Sequence, residues 1–251
     1  MRRLTGNPPA DAYLGLLAGR AEGVLGATLL GCYLVNSGAR GDYLPGRSDL
    51  DVVLIVADAL SAATKHRVID ALRQSAIACP APRLELVAYR RDVAADPGAR
   101  PRFELNLNSG PAIADHVALD PAEEPWFWFA LDLAAAADVA LPIAGPPAVE
   151  VFGSVPRRAV LDALLASHAW HVEHDTRAPN RVLNACRAWC WLATSGWRSK
   201  TAAAGWAIAA GGDAGLIGHA LSLRAGTRSD PLSADGVSRL ADRVARLLAE
   251  A

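Results

Sequence analysis

An α+β first half followed by an all-helical second half is the fold class this 251-residue sequence predicts. Three observations predict it. Short apolar runs of strand length alternate with helix-period segments up to about residue 122. Beyond that point strand signals stop, and the remaining segments are rich in the strong helix formers Ala and Leu. A Pro-Gly cluster at Pro142–Pro147 and the pair Val155-Pro156 mark the seam between the two regimes. The expected domains are residues 1–155, a mixed sheet with flanking helices, and residues 156–251, a helical bundle. The chain length suits one large domain or two small ones, and the shift in composition favours two.

Taken in order, Ala10–Val24 carries an apolar helical face, and Thr28–Val35 (TLLGCYLV) reads as a short buried strand. Asp51–Ala57 is the second strand. Ser61–Ala76 returns to helical spacing, with Val68 and Leu72 among charges and Ile77 just beyond. Arg83–Tyr89 is a third strand and Phe103–Leu107 a fourth, with the polar segment Arg90–Arg102, containing Pro97, as the loop between them. Helices follow at Trp126–Val139, Arg158–His171, Asn180–Ser195, Ser199–Ala210 and Ser233–Ala249. The aromatic run Trp126-Phe127-Trp128-Phe129 sends its members to different sides of a helix, so interdomain packing is expected of it rather than a ligand box.

Composition excludes several classes of function. A hydrophobic content of 52% with 20% charged residues describes a globular chain. The net charge of −1 and pI of about 6.6 leave no basic footprint for nucleic acid. The start of the sequence lacks the apolar core of a signal peptide, and no apolar stretch is long enough for a membrane span. The four cysteines have no paired metal-site spacing and read as reduced, buried side chains. A cytoplasmic monomer without nucleic-acid or membrane partners is expected. The six histidines show no ligand spacing, and His171 and His174 read as a solvent-facing pair.

The most informative segment is NSGARGDYLPGRSDLD, Asn36 to Asp51. Two aspartates at i and i+2 on a strand point to one face, with Cα atoms roughly 6.5 Å apart. Asp49 and Asp51 can therefore converge on one Mg²⁺, a hard cation that takes oxygen ligands and substrate phosphates. An ordinary surface strand also carries such pairs, but here the pair follows a Ser-Gly turn. That turn exposes N–H groups able to cradle phosphate oxygens, and Ser37 and Ser48 add hydroxyl donors. Glu85 lies among apolar residues in the third strand, where a carboxylate is costly unless it is paired, faces a cleft or meets water at a sheet edge. Asn180, Asn184, Arg187 and Trp191 fall on one helical face, with Val182, Ala185, Cys186, Trp189 and Ala193 on the apolar one. Arg187 can pair with phosphate or stack on a base; a solvated surface charge is the plainer reading. Lys200 follows Ser199, an N-cap candidate, and opposes the helix dipole there unless an anion neutralises it.

The Ser-Gly turn followed by Ser48-Asp49-Leu50-Asp51 resembles the signature of the nucleotidyltransferase superfamily. Within it the chain resembles the aminoglycoside (streptomycin/spectinomycin) adenylyltransferases. Gly145-Pro146-Pro147 before Val151-Phe152, the helix RVLNACRAWCWLATSGW, and Ser199-Lys200 six residues before Trp206-Ala207 are similar to landmarks of that family. The resemblance implies a nucleotidyltransferase-type mixed sheet ahead of the helical bundle, with Mg²⁺ on Asp49 and Asp51 and ATP as co-substrate. It implies Glu85 as the general base, and Ser37, Ser48, Arg187 and Lys200 as nucleotide contacts. The site is then expected between the two domains. By position, Glu173 matches a substrate-binding acid and Asp175 is its neighbour, a pair suited to a small polycationic acceptor. Three departures are visible: Asn36 stands in place of a Gly, Asn108-Ser109-Gly110 in place of a Trp after the fourth strand, and Arg177 in place of a second acid. The implied activity is transfer of AMP from ATP to an acceptor hydroxyl with release of pyrophosphate. Two alternatives remain open: an acceptor that is another small metabolite or a protein, and a nucleotide-binding homologue without catalysis.

Overall fold

The computed structural model describes residues 4–175 and 178–251. They form two compact units, Met1–Pro156 and Arg157–Ala251. In the first unit the strands are β1 (Leu29–Leu34), β2 (Leu50–Val56), β3 (Leu84–Arg90), β4 (Leu105–Gly110), β5 (Ile113–Ala118) and β6 (Leu141–Ala144). They build one sheet in the order β5-β4-β3-β2-β1-β6. The β2–β3 pair is parallel, and the other described pairs are antiparallel. Its helices are α1 (Pro8–Leu25), the single turn α2 (Asn36–Ala39), α3 (Ala62–Leu72), α4 (Arg91–Ala95) and α5 (Trp126–Val139).

Strand alternation divides the apolar side chains between two layers. Leu50, Val52 and Leu54 of β2 and Leu84 and Leu86 of β3 pack with Leu14 and Leu17 of α1 and Val68 and Leu72 of α3. Val53, Ile55, Val87 and Tyr89 pack instead with Phe129 and Leu133 of α5. Both faces are covered, so the central strands read as continuous hydrophobic runs. Asn7 caps α1 by accepting from the Ala10 N–H at 3.1 Å, and Ser61 caps α3 through the Thr64 N–H at 3.2 Å. Residues 57–83, which carry α3, connect the parallel strands.

Three expectations change here. Strand structure does not stop at residue 122: β6 adds to the sheet edge, with Pro142 opposite Tyr33. Proline lacks the N–H that an inner strand needs, which hides β6 from a sequence reading and confines it to an edge. Asn108–Gly110 lie inside β4, and α4 forms within the predicted loop. Gly145, directly after β6, has φ +98°, and a side chain there would meet the Leu30 carbonyl at 2.6 Å. The Tyr33 hydroxyl donates to the Pro146 carbonyl at 2.9 Å, so the Gly-Pro-Pro landmark fixes how the chain leaves the sheet. Of the aromatic run, Phe129 packs within the first unit against Phe103, with ring centroids 4.6 Å apart.

In the second unit the helices are α6 (Arg157–His174), α7 (Ala178–Thr194), α8 (Lys200–Ala209), α9 (Ala214–Ala225) and α10 (Ala234–Ala249). The middle helix is α7, which touches the other four. Ser199, Asp213 and Ser233 cap α8, α9 and α10, and α9 ends on Gly226 in the left-handed conformation. Two glycines inside α9 weaken its helix signal, and the sequence did not predict it. All four cysteines are unpaired and buried. No described helix is long and apolar enough to cross a membrane.

Candidate active site

The parallel register of β2 and β3 places Asp51 directly opposite Glu85. Val53 and Val87, two residues further along each strand, belong to the α5 layer, so Asp51 and Glu85 point to that same side. Asp49 precedes Asp51 by two residues and extends the row. The two strands thus gather the three acids singled out from sequence. Arg83 lies one step before β3, opposite Asp49 by continuation of the register. Its Nη2 donates to Asp49 Oδ2 at 2.8 Å and also pairs with Glu85.

A fourth carboxylate joins them from α5. The Asn36 side-chain amide donates to Asp51 Oδ1 at 3.3 Å and to Asp132 Oδ1 at 3.1 Å. Asn36 has φ +51°, in the left-handed region that Asn tolerates better than most residues. The residue that replaces the expected Gly therefore keeps the turn and bridges two acids. Burial pushes the Asp51 carboxyl well above the usual carboxylate range, and the charges of Glu85, Asp132 and Asp49 push it further. Asp132 escaped the sequence reading. The signal was present: Asp132 stands inside the apolar run WFWFALDLAAAA, where an acid is as costly as Glu85 in its strand.

The loop before the acids is closed by Ser48, whose N–H donates to the Leu44 carbonyl at 2.9 Å. Its hydroxyl oxygen accepts from the Leu44 N–H at 3.0 Å. That leaves the Ser48 hydroxyl proton available for donation. Ser37 lies in α2, where the first N–H groups of the turn have no acceptor within it. Gly38 packs against Leu34, whose side chain lies 2.8 Å from where a Cβ would stand.

Hard oxygen donors concentrated beside a half-buried, charge-strained aspartate suit Mg²⁺. Among the described residues no three His, Cys, Asp or Glu side chains form a ready metal cage. Mg²⁺ commonly binds through one or two carboxylates plus substrate phosphates, so Asp49 and Asp51 fit that mode. A separate cavity of about 600 Å³ in the first unit, lined by Lys65, Arg90, Arg100 and Arg102 among others, includes none of these acids.

In the second unit the predicted cations sit in a polar network. Lys200 Nζ donates to Asn180 Oδ1 at 3.2 Å, which gives this N-terminal lysine a partner on α7. Asn184 donates to His171 Nε2 at 2.9 Å, so His171 is neutral with its proton on Nδ1, and that N–H donates to Asp175 at 3.0 Å. The His171 pKa falls to about 4, chiefly through burial; Asp175 opposes the fall, and the charges of Lys200 and Arg187 add to it. Arg187, half-buried on α7, therefore belongs to the same cluster.

Several expectations need correction. His171 is buried rather than solvent-facing, at 8% exposure. Asp175 is likewise buried and held by His171, whereas Glu173 is exposed beside His174. Trp191 is buried against Trp197 with Arg157 above its ring, so it leaves the polar face of α7. Ala193, assigned to the apolar face, is exposed. Arg177 lies outside the described residues.

The first unit thus carries clustered acids on two adjacent parallel strands of a mixed sheet, and a helical unit follows it. Comparison narrows the likeness. Residues 150–250 match the family described as aminoglycoside adenylyltransferase, C-terminal domain. The whole fold is similar to the crystal structure of spectinomycin adenyltransferase AAD(9) from Enterococcus faecialis with ATP and spectinomycin. That match has a TM-score of 0.70 and 16% identity over 95% of this chain and 98% of that one. No curated protein matches the sequence. The resemblance to aminoglycoside adenylyltransferases thus stands, in family terms for the helical unit and in fold for nearly the full length.

Proposed function

We propose that the protein transfers AMP from ATP to a hydroxyl of a small, aminoglycoside-type acceptor, releasing pyrophosphate. The observation that carries this reading is the β2–β3 register, which sets Glu85 opposite Asp51 with Asp49 on the same row. Asp49 and Asp51 would hold Mg²⁺, which when bound supplies positive charge to the triphosphate. Ser37, Ser48, Arg187 and Lys200 are assigned to the phosphates. Glu85 accepts the proton of the acceptor hydroxyl as that oxygen bonds to the α-phosphorus. The bond from the α-phosphorus to the bridging oxygen breaks, and pyrophosphate leaves with that electron pair. Glu173, exposed at the end of α6, is the acid assigned to a cationic acceptor. Asp175 is assigned to holding His171 instead.

Pyrophosphate release with Mg-ATP across a panel of streptomycin, spectinomycin and other aminoglycosides tests the assignment. Turnover with at least one is expected. The Arg83–Glu85 pair favours a second reading, nucleotide binding without transfer. Mg-ATP binding by calorimetry with no turnover for any acceptor would select that reading over transfer.

A further inference from the structure

We propose that Arg83 is a positioning residue, a resident counter-cation that holds Asp49 and Glu85 until a divalent cation displaces it. The inference rests on the nucleotidyl-transfer reading and deepens it by naming what occupies the metal-binding edge beforehand.

The parallel register makes a two-by-two arrangement. Asp49 and Asp51 lie in one row, Arg83 and Glu85 in the next, and neighbouring strands are about 4.8 Å apart. Arg83 reaches both Asp49 and Glu85 through one nitrogen, Nη2. Its side chain is only 28% exposed. Asp51, at the opposite corner, receives the Asn36 amide rather than a full charge. A guanidinium cannot be deprotonated in a protein, so it leaves only when something else satisfies the acids. A cation entering between Asp49 and Asp51 competes with Arg83 for Asp49 Oδ2 and meets a like charge nearby. Release of Arg83 would also free Glu85 to accept a proton. Metal entry and exposure of the base are then one event.

The test measures Mn²⁺ affinity of the nucleotide-free protein by electron paramagnetic resonance, with Arg83→Met, Arg83→Gln and Arg83→Lys. Met keeps much of the apolar stem, Gln keeps a polar tip and Lys keeps the charge. Circular dichroism and thermal unfolding identify variants that fold. Mn²⁺ binding at least tenfold tighter in Met and Gln, with Lys close to the wild type, is expected. Adding Asp49→Asn to Arg83→Met should erase the gain. Unchanged or weaker Mn²⁺ binding in the folded neutral variants, while the wild type still binds Mg-ATP, overturns the role of Arg83 alone. A wild type that binds neither Mn²⁺ nor Mg-ATP overturns the transfer reading and this inference with it.

Discussion

The acid cluster of the first unit and the cation cluster of the second are assembled by opposite means. In the first, backbone register does the placing: Asp51 faces Glu85 because their strands pair in parallel at that step. In the second, side chains do the placing: Lys200 reaches Asn180 and His171 meets Asn184 across helices, while Asp175 holds His171 from the end of its own helix. The first arrangement gathers like charges and meets their repulsion with Arg83 and Asn36. The second keeps its imidazole neutral among cations. Charge placed by a sheet is fixed by the fold, whereas charge placed by side chains depends on each partner in a network.

The largest effect should separate the two regions. Glu85→Gln is expected to lower pyrophosphate release by about 10³-fold, the range of a lost general base. Unfolding temperature and Mg-ATP affinity should change little. Retained turnover in that variant would remove Glu85 as the base. Next come Arg187→Ala and Lys200→Ala. Each is expected to weaken Mg-ATP binding roughly 10- to 100-fold by calorimetry, in line with about 1.5–3 kcal/mol for a hydrogen bond to a charged group. Unaltered binding in both would confine nucleotide recognition to the sheet.

A smaller effect probes the second network through pH. His171 has a pKa near 4 in the folded protein against an ordinary 6.5, so protonation favours the unfolded chain. The stability it contributes is complete above pH 6.5 and is lost as pH falls toward 4. The loss should reach about 3 kcal/mol near pH 4, seen as a drop in unfolding temperature that His171→Gln lacks. Parallel pH curves for the two proteins would sink the assignment. Smallest of all, Asn36→Gly removes the amide that bridges Asp51 and Asp132 but suits the positive φ. Denaturant unfolding should register a net loss of about 1 kcal/mol. A gain would mean that backbone relief outweighs the bridge.

Sequence periodicity revealed what local physics dictates and missed what distant contacts decide. The boundaries of α5 were legible because an apolar helical run needs no partner to announce itself. Asp49, Asp51 and Glu85 were legible because spacing and the cost of an acid in an apolar strand both speak locally. β5 was not, since IADHVA lacks clean alternation and is ordered by its pairing with β4. Arg83 drew no reading beyond opening the predicted third strand, and only the continued register sets it opposite Asp49. The burial of His171 also depends on a helix partner, Asn184, that lies thirteen positions away.

The connection formed by residues 57–83 has a consequence for how such a chain can diversify. The proposed chemistry depends on which residue of β2 meets which residue of β3, and not on the length of chain between them. Insertions in exposed parts of that crossover cost little, because loop-closure entropy grows only slowly with length. One residue added inside either strand would turn the following side chains to the opposite face. Drift should therefore accumulate in the crossover while the two strands stay the same length, a pattern that sequencing of relatives can read directly.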